Sequence, residues 1–260
     1  MLSSAQIRAY GENGYLFLEE HFSRDEMDAL RGKIDEVGER QAAYTGMSYD
    51  GGWGGKWREN LLPDGEAGRK TALLSIHNMP FHSAYFTRLL LDEKVTEVMA
   101  GLIGPNIQLH HVKMHAKPPR EGTAFPMHQD YHYFPHEQHS MCAYVIFVDD
   151  ATIENGCLCL YPGSHTQVLP PASDGLYLPP SDYPLEKAMP CPGPAGSVLI
   201  FNYRTIHGSF PNTTDATRRI LLLQLRSPDD NPTEDLHQSP GLGLMLRGEN
   251  PRPILTATSG

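Results

Sequence analysis

The triplet His128-Gln129-Asp130 and the distant His207 are the residues of this chain best suited to hold a metal. In an extended segment, residues i and i+2 project to the same side, so His128 and Asp130 can converge on one point. A second imidazole, from His207, completes a set of two histidines and one carboxylate. Such a set suits ferrous iron, because it leaves adjacent coordination positions open for a cosubstrate and dioxygen. The chain has 13 histidines, so an HxD pair by itself is a weak sign. The competing reading is a helical zinc pair, His128 and His132 at i and i+4. It lacks a glutamate between the histidines, and Pro126 and Pro135 bracket a segment too short for a good helix. His132, His136 and His139 are therefore expected in a loop or at a pocket rim. Serine-nucleophile chemistry rests only on Gly163-Ser164-His165, which follows Pro162 and reads as a tight turn after a strand ending at Tyr161.

An iron centre of this kind commonly uses 2-oxoglutarate, whose far carboxylate needs a cation. A guanidinium fork meets it with two hydrogen bonds. Arg218 opens the strand-like run RRILLLQL, and Ser209, two residues after His207, offers a hydroxyl to the same carboxylate. Strand alternation leaves two candidates for the cation. Ile220 and Leu222 share a face with Arg218, while Leu221 and Leu223 share one with Arg219. An arginine and a serine so placed are what a cupin-like metal-binding sensor, the alternative on the same scaffold, would not need.

The stretches GPNIQLHHVKMHAKPP, FPMHQDYHYFP, NGCLCLYPGSH and TIHGSFPNTTDATRR resemble the phytanoyl-CoA hydroxylase family of Fe(II)/2-oxoglutarate-dependent oxygenases. The resemblance runs from about Ile7 to Arg226 and is strongest between Gly104 and Arg219. It implies a double-stranded β-helix core, iron on His128, Asp130 and His207, and the far carboxylate of 2-oxoglutarate on Arg218 and Ser209. It also implies that a residue on the strand before the HxD pair completes the cosubstrate site, for which His111 is the candidate. Gln129 is grouped with the cosubstrate contacts, and Tyr131 and Phe134 with the substrate. In the family's halogenases a small residue replaces the carboxylate, so Asp130 favours oxygenation. The implied reaction is oxidation of an unactivated C–H bond of a small molecule, with release of succinate and CO2.

The elements that must position these residues follow from pattern and composition. Ser3-Ser4 precede an amphipathic stretch interrupted by Gly11 and Gly14, and Ser23 with Glu26 forms a capping box before Met27, Leu30, Ile34 and Val37 at helical spacing. A third helix is expected over about 83–101. From Ile107 the period changes to two, with short apolar segments near 107–116, 141–148, 157–161, 197–201 and 218–226. Gly 24 and Pro 22 make up about 18% of the 260 residues, against about 12% on average, which favours many short strands. The expectation is one mainly β domain over 1–260: helical support to about 103, a jelly-roll, cupin-like core over 104–227 and a Pro/Gly-rich tail over 228–260. Residues 170–194 read as an irregular excursion.

Between Tyr49 and Asn60, four glycines surround Trp53 and Trp57. The functional expectation is a lid in which Trp57 and Arg58 cover the substrate and exclude water. The alternative is that the tryptophans simply pack on the helices. With Lys+Arg 21 against Asp+Glu 31, the net charge of −10 argues against sequence-independent binding of nucleic acid or anionic membranes. No apolar run reaches the ~18 residues of a membrane span. The four cysteines lack zinc spacing, and neither a secretory layout nor a Ser-Lys-Leu-type address is visible, so a reducing, cytoplasmic setting is expected.

Overall fold

Ser3 starts the first helix, α1 (Ser4–Asn13). Its hydroxyl accepts from the Gln6 N–H (3.2 Å), while the Gln6 side chain accepts from the Ser3 N–H (2.9 Å). Gly14, left-handed at φ 76°, closes the helix on the Tyr10 carbonyl and feeds β1 (Tyr15–Leu18). The expected Ser23–Glu26 box opens α2 (Arg24–Ala43), with bonds of 2.6 and 3.2 Å. β2 (Trp57–Asn60) and β3 (Lys70–Leu73) pair antiparallel, followed by β4 (Ser75–His77) and the short α3 (Met79–His82). The third helix is two helices, α4 (Ala84–Leu90) and α5 (Glu93–Ile103). Asp92 breaks the run because it is extended and its carboxylate caps α5 through the Lys94 N–H (2.8 Å). This computed structural model describes residues 1–43, 57–60, 70–73, 75–120, 122–172, 176–234 and 239–251, with backbone alone for 41–43, 57–60 and 70–73.

The β region follows: β5 (Ile107–Lys117), β6 (Phe125–His128), β7 (Cys142–Phe147), β8 (Leu158–Leu160), β9 (Met189–Pro190), β10 (Val198–Asn202), β11 (His207–Ser209), β12 (Arg218–Arg226) and β13 (Met245–Arg247). One antiparallel sheet has the order β1-β10-β7-β12-β5-β13, with β4 also paired to β5. A second has the order β6-β11-β8-β9. The chain is mainly β, a double-stranded β-helix of the cupin type with helices on one side. The short strands β1, β4, β11 and β13 did not stand out as strands in the sequence. The Pro/Gly-rich tail is part of the fold: β13 extends the sheet at β5, and buried Asp230 accepts from the N–H groups of Gln138 (2.6 Å) and Ser140 (2.7 Å).

Alternation sorts the large sheet into two faces. Val112, Met114, Tyr144, Ile146, Leu221 and Leu223 pack with Met27, Leu30 and Ile34 under the helices. Ala143, Val145, Phe147, Leu199, Phe201 and Ile220 face the second sheet, where Leu160 packs with them. An ion cluster fastens α2 to the helix side. Asp149 accepts from Arg219 (2.8 and 3.0 Å) and from Arg31 (3.0 Å), and Arg219 also pairs with Asp35. Among the described residues, no helix is long and apolar enough to cross a membrane.

Gly196 sits where the turn before β10 meets the turn before α2. Its φ is 90°, its carbonyl accepts from the Phe22 N–H (2.9 Å), and an added Cβ would collide with the Phe22 carbonyl oxygen. Gly196→Ala is therefore expected to cost at least about 2 kcal/mol in urea unfolding. Gly11→Ala, in α1 with nothing near its Cβ, should be neutral or stabilise by up to about 1 kcal/mol. Equal stability of the two variants would contradict this account of the Gly196 turn.

Candidate metal and cosubstrate centre

The site is made by one strand pairing. β6 and β11 are antiparallel neighbours with His128 opposite His207, so both imidazoles leave the sheet on the same face, their centroids 4.2 Å apart. β6 ends at His128, but Gln129 stays extended (φ −114°, ψ 131°) before Asp130 opens a 3₁₀ turn. The i, i+2 relation therefore survives the end of the strand. One ligand atom from each of His128, Asp130 and His207 lies within 4.8 Å of the others. Asp130 Oδ1 is 3.5 Å from His128 Nε2 and 3.8 Å from His207 Nε2.

The surroundings orient all three. His128 Nδ1 donates to the Pro126 carbonyl (3.0 Å) and His207 Nδ1 to that of Thr205 (2.9 Å), which leaves both Nε2 lone pairs for the centre. Gln224 Nε2 donates to Asp130 Oδ2 (2.8 Å), so the other oxygen, Oδ1, is the one turned to the histidines. Burial by itself would raise the Asp130 carboxyl, but His207, His128 and the Gln224 amide hold it below the ordinary carboxylate range. Burial, aided by the charge of His128, pulls His207 down to about 4 against the pull of Asp130 and the Thr205 carbonyl. An ionised carboxylate and a neutral imidazole are the forms that bind a divalent cation.

The triad opens into a cavity of about 540 Å³ between the sheets. Arg218 lies in its wall at 2% exposure; Nη2 donates to the Gly156 carbonyl (2.6 Å), and the buried Nε has no partner. A buried, unpartnered guanidinium N–H is what a carboxylate would satisfy. Burial lowers the Arg218 guanidinium to about 10, opposed by Cys157 and Asp149. Arg219 is bound to Asp149 and Asp35 on the helix side, so of the two arginines left open by alternation it is Arg218 that reaches the cavity. Lys117 stands opposite Arg218 across β5 and β12, its ammonium donating to the carbonyls of Thr123 (2.7 Å) and Phe210. Burial, then the neighbouring Arg218, brings it down to about 7.

The other sequence-predicted residues divide. His111 and Phe134 line the cavity. Ser209 is buried on β11, but the wall there is formed by Gly208 rather than by Ser209. Gln129 is not a cosubstrate contact. It points away from the triad and clamps three backbone groups, those of Gln167, Arg204 and Leu169, at 2.5–2.9 Å. Tyr131 likewise packs on Tyr203 and His139 outside the cavity, because the turn after Asp130 rotates it away. His132, His136 and His139 are tied to the Leu169 carbonyl, the Phe134 carbonyl and the Tyr203 hydroxyl, not to the cavity rim. Ser164 is a connector, donating to the Tyr161 carbonyl (2.6 Å) and accepting from the Ile206 N–H (2.9 Å) beside His207. The lid expected over Tyr49–Asn60, including the side chains of Trp57 and Arg58, lies outside the described residues.

Sequence reasoning missed Gln224, Tyr133, Tyr177 and the basic residues Lys113 and Lys117 in the wall. Tyr177 comes from the irregular excursion, which returns as a bridge beside His128, and nothing in the sequence marks it. The alternation of His111, Lys113, His115 and Lys117 along β5 was a visible signal.

Two facing antiparallel sheets with a buried two-histidine, one-carboxylate centre define a non-haem metal enzyme scaffold of the jelly-roll type. The comparisons give it a family. A family model described as phytanoyl-CoA dioxygenase (PhyH) matches residues 10–220. The chain therefore belongs to the PhyH family and is an iron- and 2-oxoglutarate-dependent dioxygenase. It is 27% identical over 243 residues to a Stutzerimonas stutzeri protein named "Probable alpha-ketoglutarate-dependent hypophosphite dioxygenase", covering 87% of this chain and 79% of that one. It is 26% identical to the peroxisomal phytanoyl-CoA dioxygenase of Rattus norvegicus, covering 88% and 70%. The crystal structure of EctD from S. alaskensis with 2-oxoglutarate and 5-hydroxyectoine superposes with TM-score 0.68 at 20% identity, covering 93% and 86%, and shares the fold.

Two substitutions test how the centre is held. Gln224→Leu removes the donor to Asp130 Oδ2 and should weaken Mn(II) binding about tenfold or more by calorimetric titration. Gly208→Ala places a Cβ 2.6 Å from the Phe125 carbonyl oxygen and 3.1 Å from Met127 Sδ, prising β6 from β11, and should weaken it too. Wild-type affinity in a folded Gln224→Leu protein would mean that the amide does not orient Asp130.

Proposed function

We propose that His128, Asp130 and His207 hold ferrous iron, that Arg218 receives the far carboxylate of 2-oxoglutarate, and that the enzyme hydroxylates an unactivated C–H bond of a small molecule. The buried Arg218 carries this reading, since it lines the cavity that the triad also lines and its Nε has no partner. A simple metal binder has no use for such a group. Bound iron, with dioxygen and 2-oxoglutarate, supplies the oxidising power, and succinate and CO2 leave as by-products.

The chain's own residues have separate tasks. The Pro126 and Thr205 carbonyls fix the histidine tautomers, and Gln224 fixes the carboxylate. Lys117 adds a second positive charge at the Arg218 end, and Ser209 is retained as a hydrogen-bond donor to the same carboxylate. His111 is retained as a contact to the cosubstrate at the metal end. Phe134, with Phe125 and Tyr133, offers the apolar wall that a dry reaction needs. Trp57 and Arg58 are retained as substrate cover. The whole chain is taken as one catalytic domain acting without nucleic acid or membrane. Its four buried, free cysteines suit a reducing compartment such as the cytoplasm.

His128→Ala, Asp130→Ala and His207→Ala should each lose stoichiometric iron and succinate release; iron retained in any two of them would end the assignment. Arg218→Lys should raise the 2-oxoglutarate needed to form the anaerobic iron charge-transfer band at least tenfold. Arg219→Lys should leave it within about twofold, because Arg219 serves the ion cluster. The pH dependence has a definite sign. A bound dianion favours protonated Lys117, so 2-oxoglutarate should bind with proton uptake and more weakly as pH rises from 6 through 7 to 8.5. An affinity that strengthens over that range would contradict the placement of the carboxylate beside Lys117.

A further inference from the structure

The triad has two unlike flanks. In the small sheet β6 pairs with β11 on one side, and on its other edge Tyr177 bridges His128. Arg218 stands beyond the opposite flank, its guanidinium bonded to the Gly156 carbonyl just before β8. The order across this sheet is therefore Tyr177, β6, β11 and β8, with the two histidines of the triad on the middle pair. On the proposed function, on which this inference rests, 2-oxoglutarate runs from the metal toward Arg218. The flank at Tyr177 is the one it leaves open.

Three rings wall that flank. Their centroids lie 4.9 Å (Phe125), 5.9 Å (Tyr133) and 6.0 Å (Tyr177) from that of His128. Tyr133 and Tyr177 stand nearly perpendicular to His128, at 87° and 88°, and Phe125 stands at 84° to Tyr177. All three line the cavity, and Phe125 and Tyr177 are 41% and 38% exposed, which puts them at its mouth. Tyr177 is nevertheless fixed in place. Its carbonyl accepts from the Ala172 N–H and the Leu178 N–H donates to the Met127 carbonyl, both at 2.8 Å, while Leu178 is buried with Met127 and Ile206. Large rings held open to water on a pinned backbone mark a surface that a ligand covers.

The charged groups of the cavity are committed elsewhere. Asp130 turns one oxygen to the Gln224 amide and the other to the histidines. The Lys117 ammonium donates to two carbonyls, Arg218 stands on the other flank, and Lys113 has a partner of its own. An ion brought against Phe125 and Tyr177 would therefore leave water without a counter-charge. The polar groups on offer are the Tyr133 and Tyr177 hydroxyls, which neighbour each other. Among the described residues neither has a hydrogen-bond partner beyond that pair, whereas the hydroxyls of Tyr10, Tyr144 and Tyr161 are bonded to Cys142, Lys94 and Pro184. A few convergent polar groups in an apolar wall orient a ligand. We propose that the substrate enters between Phe125 and Tyr177 and is a neutral molecule with a flat apolar ring and a hydroxyl. Its ring packs against these two residues, and its hydroxyl bonds to the Tyr133–Tyr177 pair. Tyr177, from the irregular excursion, is then a specificity-determining residue.

The test is anaerobic calorimetric titration of full-length protein loaded with Mn(II) and saturating 2-oxoglutarate. The probes are cinnamyl alcohol, cinnamate, cinnamylammonium and cinnamyl methyl ether, which share one flat frame, and cyclohexylpropanol, which keeps the hydroxyl without the flat ring. Cinnamyl alcohol should bind at least about tenfold more tightly than either ion, and at least about threefold more tightly than the ether or cyclohexylpropanol. Tyr177→Leu should weaken cinnamyl alcohol at least about fivefold. Tyr177→Phe should lose about threefold for the alcohol and nothing for the ether. Both variants should unfold in urea like wild type and keep 2-oxoglutarate affinity within about twofold. An ion, the ether or cyclohexylpropanol binding as tightly as cinnamyl alcohol would overturn the proposal, as would no measurable binding of the alcohol. So would wild-type affinity for the alcohol in Tyr177→Leu, or wild-type discrimination between alcohol and ether in Tyr177→Phe. A folded Tyr177→Leu protein whose 2-oxoglutarate affinity falls about tenfold would overturn it too, because the ring would then serve the cosubstrate. Each of these outcomes leaves the dioxygenase reading standing. Only loss of metal-dependent 2-oxoglutarate binding in the wild-type titration would strike at that reading itself.

Discussion

The opposition of His128 and His207 across β6 and β11 is the constraint on which the chemistry of this chain depends. A slip of one residue in that register would send one imidazole to the far face of the sheet, and no rotamer could bring it back. Three features hold the register. Gly208 lets the two backbones approach, since any Cβ there would meet the Phe125 carbonyl oxygen. The His207 pairing continues on its other side into Leu160 of β8. Ser164 accepts from the Ile206 N–H and so fixes the entry into β11 from outside the sheet. The residues surrounding the centre thus act mainly through backbone geometry.

The same alternation that pairs the histidines divides β12 between two tasks. Arg218, Ile220, Leu222 and Gln224 face the cavity, while Leu221, Leu223 and Leu225 belong to the core beneath the helices. Arg219 closes the helix side with the Asp149 cluster. Adjacent arginines of identical chemistry therefore have opposite placements, one in the cavity wall and one joining α2 to the sheet. The helical layer packs on the back of β5, β7 and β12, the strands whose other faces line the cavity. Its contribution is to keep β12 from twisting or sliding, which would move Arg218 and Gln224 together relative to the triad.

Much of this was legible in the residues. That His128, Asp130 and His207 could converge followed from strand geometry, although the pair His128 and Asp130 was a weak sign by itself and gained weight from Arg218, Ser209 and the family resemblance. Four of the five expected strands, β5, β7, β10 and β12, run for five residues or more, and the fifth, β8, is a three-residue strand within an apolar run, while the caps at Ser3 and Ser23 act locally. Other features depend on tertiary contact and leave no local trace. Arg218 could not be told from Arg219, since leucines and isoleucine flank both, and only the placement of Asp149 and Asp35 decides. Gln129 and Tyr131 sit inside the motif yet point away from the centre, because nearness in sequence to a ligand says nothing about which face a side chain takes. Gln224 lies far from the triad in sequence and reaches it only because β12 and the turn at Asp130 meet.

The choice of an amide to hold Asp130 follows from charge. A lysine or arginine at 224 would orient Asp130 Oδ2 equally well, but it would place a full positive charge beside a site that must accept a divalent cation. In a buried setting that repulsion is weakly screened and would act directly against metal binding. Glutamine donates a hydrogen bond while leaving the negative charge of Asp130 available to the metal. Its Oε1 remains without a hydrogen-bond partner at 0% exposure, an acceptor beside the triad. Leaving a buried acceptor unsatisfied costs about 1–3 kcal/mol, and a bound hydroxyl, amide N–H or water would recover it. The same economy shows across β5 and β12: beside the triad the paired groups are an imidazole and an amide, His111 and Gln224, whereas the two cationic side chains, Lys117 and Arg218, are paired at the far end. The cavity thus carries its carboxylate, Asp130, at one end and its guanidinium, Arg218, at the other.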